Sequence, residues 1–377
     1  MSTQNLNTII CTNLEEFEQH IESFEQKIEN LFVVRIPDGV THIPDGAFKN
    51  GHLIKEVILP ASLESLGDEA FMNCDKLETV TFLGNNLTDI GKFAFSDCTS
   101  LQHIDIPNGV TSIGQSAFHG CISLETVDFL GNNVTSIGSF AFFGCISLEH
   151  IDIPNGVTSI GQSAFQSCTS LETVDFLGNN VTSIGSFAFF RCTSLEHIDI
   201  PDGVTSIGSF AFFRCTSLQQ IAIPNGVTSI GQCAFYGCTS LQHIDIPNSV
   251  TEIGSSAFYG CTSLHVPTLG DHVTVGTDAF YGCIRPDIFA ASSKPPLKMQ
   301  HDDICSICHE SDWNNAVLLN CGHIFHKTCA QTWFTRKANC VNCRAPTTSC
   351  NHIIVVKPTH KRERSTTTSS SNKRVRR

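Results

Sequence analysis

Apolar positions recur along this chain with a period of 22 to 24 residues, marked by eleven Ala-Phe dipeptides with Phe at 48, 71, 95, 118, 142, 165, 189, 212, 235, 258 and 280. A fixed period of that length predicts a stacked solenoid, because one unit cannot bury its own apolar face and must pack on its neighbours. In the unit from Leu148 to Ser170, the positions of Leu148, Ile151, Ile153, Val157, Ile160, Ala164, Phe165 and Cys168 recur in nearly every copy, which predicts inward-facing ladders. Ile151-Asp152-Ile153 alternates with period two ahead of a Pro or a Leu-Gly, predicting a short strand ended by a turn, and Val157 to Ile160 predicts a second. The Ala-Phe-x-x-Cys segment is too short for a helix and predicts a helical turn. With strands about 4.8 Å apart, ten or eleven rungs make a rod on the order of 50 Å long.

Ten cysteines hold one position per repeat: Cys74, Cys98, Cys121, Cys145, Cys168, Cys192, Cys215, Cys238, Cys261 and Cys283, with Gly51 in the first unit. Rungs one strand apart bring their Cα atoms within disulfide range, so geometry alone does not separate paired from free thiols. The expectation is a reduced, buried ladder of small apolar side chains. On the outer side of the strands, Asp105, Asp128, Asp152, Asp175, Asp199 and Asp245 should stack along one face, interrupted by Ala222 and flanked by His103, His150, His197 and His243. Such a stripe reads either as a solvated face or as a partner-binding face, favouring a basic protein surface over nucleic acid, whose phosphates it repels.

Because the whole unit recurs over residues 35–285, the chain resembles the BspA-like leucine-rich repeats. It departs from the commonest leucine-rich pattern in placing Pro or Leu-Gly where an Asn ladder usually sits. The resemblance implies a protein-binding scaffold without catalysis: a repeat solenoid of short β-strands, turns and short helical turns.

Before the repeats, Leu14, Phe17, Ile21, Phe24, Ile28 and Leu31 are spaced for one face of an amphipathic helix. Residues 1–34 are therefore expected to form a helical cap on the first rung, with dimerisation through that helix as the alternative. Residues 286–303, with Ala290-Ala291-Ser292-Ser293-Lys294-Pro295-Pro296, read as a linker.

A different chemistry follows in residues 304–346. Cys305, Cys308, Cys321, His323, His326, Cys329, Cys340 and Cys343 supply eight nitrogen and sulfur donors, enough for two closed tetrahedral Zn²⁺ sites with no open position for metal catalysis. Spacing names the ligands but not their pairing. Their order resembles the RING-H2 finger, a small α+β zinc-bound domain. The resemblance implies Cys305, Cys308, His326 and Cys329 on one zinc and Cys321, His323, Cys340 and Cys343 on the other. It further implies a RING-type E3 ubiquitin transferase without a covalent ubiquitin intermediate. Ile307 and Trp333 match the contacts to the ubiquitin-conjugating enzyme, and Arg344 matches the linchpin that fixes ubiquitin. Val341 departs from the family at a position where active members commonly have Pro. The alternative reading is a non-enzymatic adaptor with a structural finger.

The formal charge of −13 over 377 residues hides a split, since residues 1–300 hold 31 acids and 11 bases while residues 301–377 hold 5 acids and 12 bases. Residues 347–377 end in Lys361-Arg362 and Lys373-Arg374-Val375-Arg376-Arg377 around a Ser/Thr run, which predicts a solvated tail resembling a bipartite nuclear import signal. No membrane span and no secretory leader is legible, so an intracellular protein, cytoplasmic with access to the nucleus, is expected. No phosphate loop and no Gly-x-Ser-x-Gly elbow occurs, which leaves zinc as the cofactor expectation.

Overall fold

The computed structural model describes residues 32–284 together with the short segments 7–10, 316–318, 324–326 and 354–356 and residue 329. The chain divides into two compact units, residues 1–286 and 287–377.

The first unit is a β-solenoid of about eleven turns. Each turn contributes two strands because each repeat contains two apolar positions bounded by turn residues. The shorter strands are two-residue pairs such as Ser159–Ile160, and they form one 11-stranded sheet from His42–Ile43 to Thr274–Val275. Every pairing in it is parallel and in register, Ser159 opposite Ser183 and Ile160 opposite Ile184. The ladder positions named above are buried: Leu148, Ile151, Val157, Ala164, Phe165 and Cys168 have no exposed surface, and Ile153 and Ile160 almost none.

The Phe column stacks along the rod, with Phe142, Phe165 and Phe189 separated by centroid distances of 5.3 and 5.4 Å and nearly parallel. The Ala-Phe-x-x-Cys segment is a turn whose hydrogen bonds alternate between two partners. Cys168 N donates to Phe165 O within the turn, and Phe165 N donates to Ala188 O on the next rung. To point every second amide along the rod, the residues before Ala and before Cys take left-handed backbone, Ser163 at φ 54° and Ser167 at φ 64°. A glycine column permits the close rung approach after the Ser-Ile strand: a Cβ on Gly161 would stand 2.6 Å from the carbonyl carbon of Gly138.

The longer strands, such as His150–Ile153, do not make one continuous sheet. Pairing stops between Thr79–Phe82 and His103–Ile106, stops again between Thr126–Phe129 and His150–Ile153, and shrinks to two residues between Thr173–Phe176 and His197–Ile198. The breaks fall where Pro follows the later strand, although Pro60 and Pro247 follow strands that keep their pairing. Leu130 N and Leu177 N each donate to the rung before at 3.0 Å, whereas Pro107, Pro154 and Pro201 hold the same place without an N–H.

Two differences from the sequence reading concern the ends. Asn7–Ile10 is a strand, paired in parallel with Phe32–Arg35, so a strand stands within the segment expected as a helical cap, and the first rung opens at Phe32. The amphipathic positions from Leu14 to Leu31 lie outside the described residues. In the second unit, Ala316–Leu318 pairs antiparallel with both Ile324–His326 and Ile354–Val356. The segment read as tail from 347 therefore includes a strand, at the β-branched run Ile354-Val355-Val356. No helix among the described residues is long and apolar enough to cross a membrane.

Candidate functional site

The outer face of the longer strands carries the acidic positions. Asp105 lies in register with Asp128 and Asp152 with Asp175. Asp128 and Asp152 fall in separate sheets, Asp199 follows the two-residue strand His197–Ile198, and Asp245 is opposite Ala222. The expected single stripe is thus a series of short ladders.

Each ladder has its own histidine. His103 Nε2 is 3.2 Å from Asp105 Oδ1 and 4.0 Å from Asp128 Oδ2. His150 repeats the arrangement at 3.0 Å from Asp152 and 3.9 Å from Asp175. In both rungs the other ring nitrogen, Nδ1, shares a 2.5 Å hydrogen bond with the threonine opposite, Thr126 or Thr173, which orients the imidazole toward the carboxylates. An imidazolium placed there offsets carboxylate repulsion of about 1 kcal/mol per pair. The donor atoms of each set lie within 4.8 Å of one another, one nitrogen and two oxygens on half-exposed side chains. Among the described residues, His197 pairs with one carboxylate, that of Asp199, at 3.2 Å.

Beside the first set, the lapse in pairing before His103 opens a groove of about 400 Å³ lined by Phe82, Leu83, His103, Asp105, Pro107 and Leu130. Leu83 and Leu130 are 47% and 58% exposed, so its rim is apolar while its wall carries the His-Asp pair. Sequence reasoning did not find this groove. Its signal is the alternation of Leu-Gly with Pro, whose effect depends on which rung lies next to which.

The cysteine ladder offers no reactive thiol. All ten ladder cysteines are buried, and each thiol donates to a Phe carbonyl on the preceding rung at 3.0 to 3.2 Å, as Cys121 does to Phe95. Burial pushes the thiols up, Cys74 and Cys168 each to about 12, where the thiolate nucleophile is scarce at neutral pH.

In the second unit, Ala316–Leu318 pairs antiparallel with Ile324–His326, and the latter strand ends on His326, opposite Ala316. Cys329, partly buried, follows three residues later. Cys305, Cys308, Cys321, His323, Cys340, Cys343, Ile307, Trp333 and Arg344 lie outside the described residues. The donor set of six thiols and two imidazoles suits zinc, which takes thiolate and neutral imidazole in tetrahedral geometry.

Comparison with known proteins places both units. The family model for the BspA type Leucine rich repeat region matches residues 19–132, 88–192 and 176–287, and the Ring finger domain model matches residues 303–344. The chain is similar to RING-H2 finger protein ATL5 of Arabidopsis thaliana, 39% identical over 57 residues, which are 14% of this chain and 22% of that protein. It is similar to E3 ubiquitin-protein ligase RNFT1 of Homo sapiens, 44% identical over 52 residues, 14% of this chain and 11% of that one. The chain thus spans about a fifth or less of these relatives' length. Among solved structures, a leucine-rich repeat protein from Bacteroides ovatus is 27% identical over 69% of this chain and 86% of its own, with a TM-score of 0.47. The pneumococcal vaccine antigen PcpA is 22% identical over 66% of this chain and 69% of its own, with a TM-score of 0.50, a likeness of fold alone. With repeat matches running from residue 19 to 287 and a zinc-binding finger after them, this chain belongs to the BspA type leucine-rich repeat family and carries a RING-H2 finger.

Proposed function

We propose that this chain is a RING-type E3 ubiquitin-protein ligase in which the repeat rod binds the substrate and the finger recruits a ubiquitin-charged conjugating enzyme. The observation that carries the proposal is the match of residues 303–344 to the Ring finger domain together with its likeness to a protein named as an E3 ubiquitin-protein ligase. Two zinc ions held by the eight donors supply the fold of the finger rather than chemistry on substrate. The reaction is attack of a substrate lysine amine on the thioester between ubiquitin and the conjugating enzyme. The C–N bond forms, the C–S bond breaks, the thiolate leaves, and the ammonium proton passes to solvent. The ligase lowers the barrier by positioning. Ile307 and Trp333 supply apolar contact to the conjugating enzyme. Arg344, a planar guanidinium able to donate to two carbonyls at once, holds ubiquitin for attack. The acidic ladders of Asp105, Asp128, Asp152, Asp175, Asp199 and Asp245 suit a basic protein surface, and the basic tail suits nuclear entry from the cytoplasm.

The test is an autoubiquitination assay with activating enzyme, ubiquitin and a panel of conjugating enzymes. Chains are expected from the wild type and not from Ile307→Ala or Arg344→Ala at unchanged zinc content. No chains from the wild type across the panel would leave the adaptor reading, in which rod and finger only bridge two proteins.

A further inference from the structure

Between residues 93 and 284 the only Lys or Arg side chains are Arg191 and Arg214. They occupy the same position of adjacent rungs: Arg191 N donates to Phe213 O at 2.8 Å and Arg214 N to Tyr236 O at 2.7 Å. The Phe190 and Phe213 rings just before them stack at 4.7 Å, which sets the spacing of the pair. Both guanidinium groups are exposed, and neither lies within 4.0 Å of a carboxylate among the described residues. Each lies over the ring before it, 5.5 Å from the Phe190 centroid and 5.7 Å from that of Phe213.

Nothing in the packing of the rod calls for arginine there. The position has left-handed backbone in every rung, φ 60° at Arg191 and 57° at Arg214, and other rungs fill it with Gly120, Gly144, Ser167, Gly237 or Gly260. Long side chains at positive φ are unfavourable, and two like charges one rung apart repel. In the same two rungs Phe187 and Phe210 also adopt positive φ, stack on each other at 4.8 Å, and tilt against Phe190 and Phe213. Four half-buried rings and two unpaired guanidinium groups therefore form one patch, on a rod otherwise acidic.

We infer that this patch is the substrate-docking site of the rod and binds a phosphorylated peptide segment, its phosphate bridging Arg191 and Arg214 and its apolar neighbours lying on the ring edges. A phosphoserine carries about −1.5 to −2 charge at neutral pH, which matches two guanidinium groups where one carboxylate neutralises only one. Ring edges carry positive potential and add to the field rather than oppose it. Single-stranded nucleic acid offers the same phosphate but needs free ring faces for its bases, whereas Phe213 is stacked on both sides, by Phe190 and Tyr236, and Phe187 and Phe210 stack on each other. The inference deepens the ligase reading and rests on it for its consequence, since it names the substrate class.

The experiment uses the full chain, with fluorescently labelled libraries of short peptides centred on phosphoserine, serine or aspartate, and a labelled oligothymidine as the nucleic-acid probe. Expected is selection of the phosphoserine library, lost by about tenfold or more in the double variant Arg191→Ser, Arg214→Ser. That variant carries the residue found at Ser167, so its thermal unfolding should be unchanged. A second variant, Arg191→Gly with Arg214→Gly, should lose binding equally while its backbone is relieved. Equal binding of the phosphoserine and serine libraries, or retention by both variants, overturns the inference. So does binding of the oligothymidine alone. Autoubiquitination is measured on the same proteins. Absence of phosphopeptide selection in the wild type with chains intact refutes only this site, and absence of chains from the wild type with its phosphopeptide selection intact refutes only the ligase reading.

Discussion

Cys168 donates its thiol hydrogen to the carbonyl oxygen of Phe142, 3.1 Å away on the preceding rung, and the same bond recurs at Cys145, Cys192 and Cys215. Because the bond needs the proton and the site excludes water, the folded chain holds these thiols neutral where the unfolded chain releases them. Burial raises Cys168 from 9.0 to about 12. Above the unfolded value, the folded state binds more protons than the unfolded one, so stability must fall as pH rises. The contribution is fully present below 9.0 and is lost through about 12. Urea midpoints measured from neutral to alkaline pH should decline in that window. A flat profile would contradict the buried ladder.

Phe165 has no exposed surface and stacks between Phe142 and Phe189, so its removal leaves a cavity that neighbouring rungs cannot close without shifting the column. Phe165→Ala should cost about 3–5 kcal/mol in chemical denaturation. The half-exposed Phe213, truncated the same way, should cost clearly less.

At Gly161 the constraint is space rather than dihedral angle, since a Cβ would meet the Gly138 backbone at 2.6 to 2.7 Å. Gly161→Ala forces two rungs apart and should lower the melting temperature by several degrees or split unfolding into two transitions. Gly144→Ala, where φ is 72° but nothing stands within 4 Å, should cost only the backbone strain of about 1–2 kcal/mol.

Zinc removal separates the two units. A strong chelator should withdraw about two ions per chain and unfold the finger, because structural zinc contributes its folding energy outright. The β signal of the repeats should remain. His326→Ala should reduce the metal content by about one ion. Loss of the β signal on chelation would contradict a rod folded independently of the finger.

How far the amino-acid sequence reveals these features depends on whether each residue acts alone or through a neighbour. Phe165, Cys168 and Ile160 were legible because each recurs in nearly every repeat, and a residue repeated at a fixed interval must meet its own copies in a stack. That a RING finger follows the repeats was legible from the spacing of its Cys and His residues, as the match of residues 303–344 to the Ring finger domain bears out. Pro107 was read only as a turn residue. In the fold it lines a groove together with Leu83, 24 residues earlier, and with His103 and Asp105. The strand Asn7–Ile10 was missed for a similar reason, since its pairing with Phe32–Arg35 is a contact across residues whose pattern reads as helix.

The sequence by itself determined the solenoid, its rung count, its buried Phe and Cys ladders and the presence of a RING-H2 finger, because repetition and Cys/His spacing are properties of order along the chain. Tertiary structure alone decided where the outer sheet breaks, which histidine faces which carboxylates, and that Arg191 and Arg214 stand unpaired over stacked rings. Those depend on register between rungs, and register brings together residues 23 or so positions apart whose chemistry is silent until they touch.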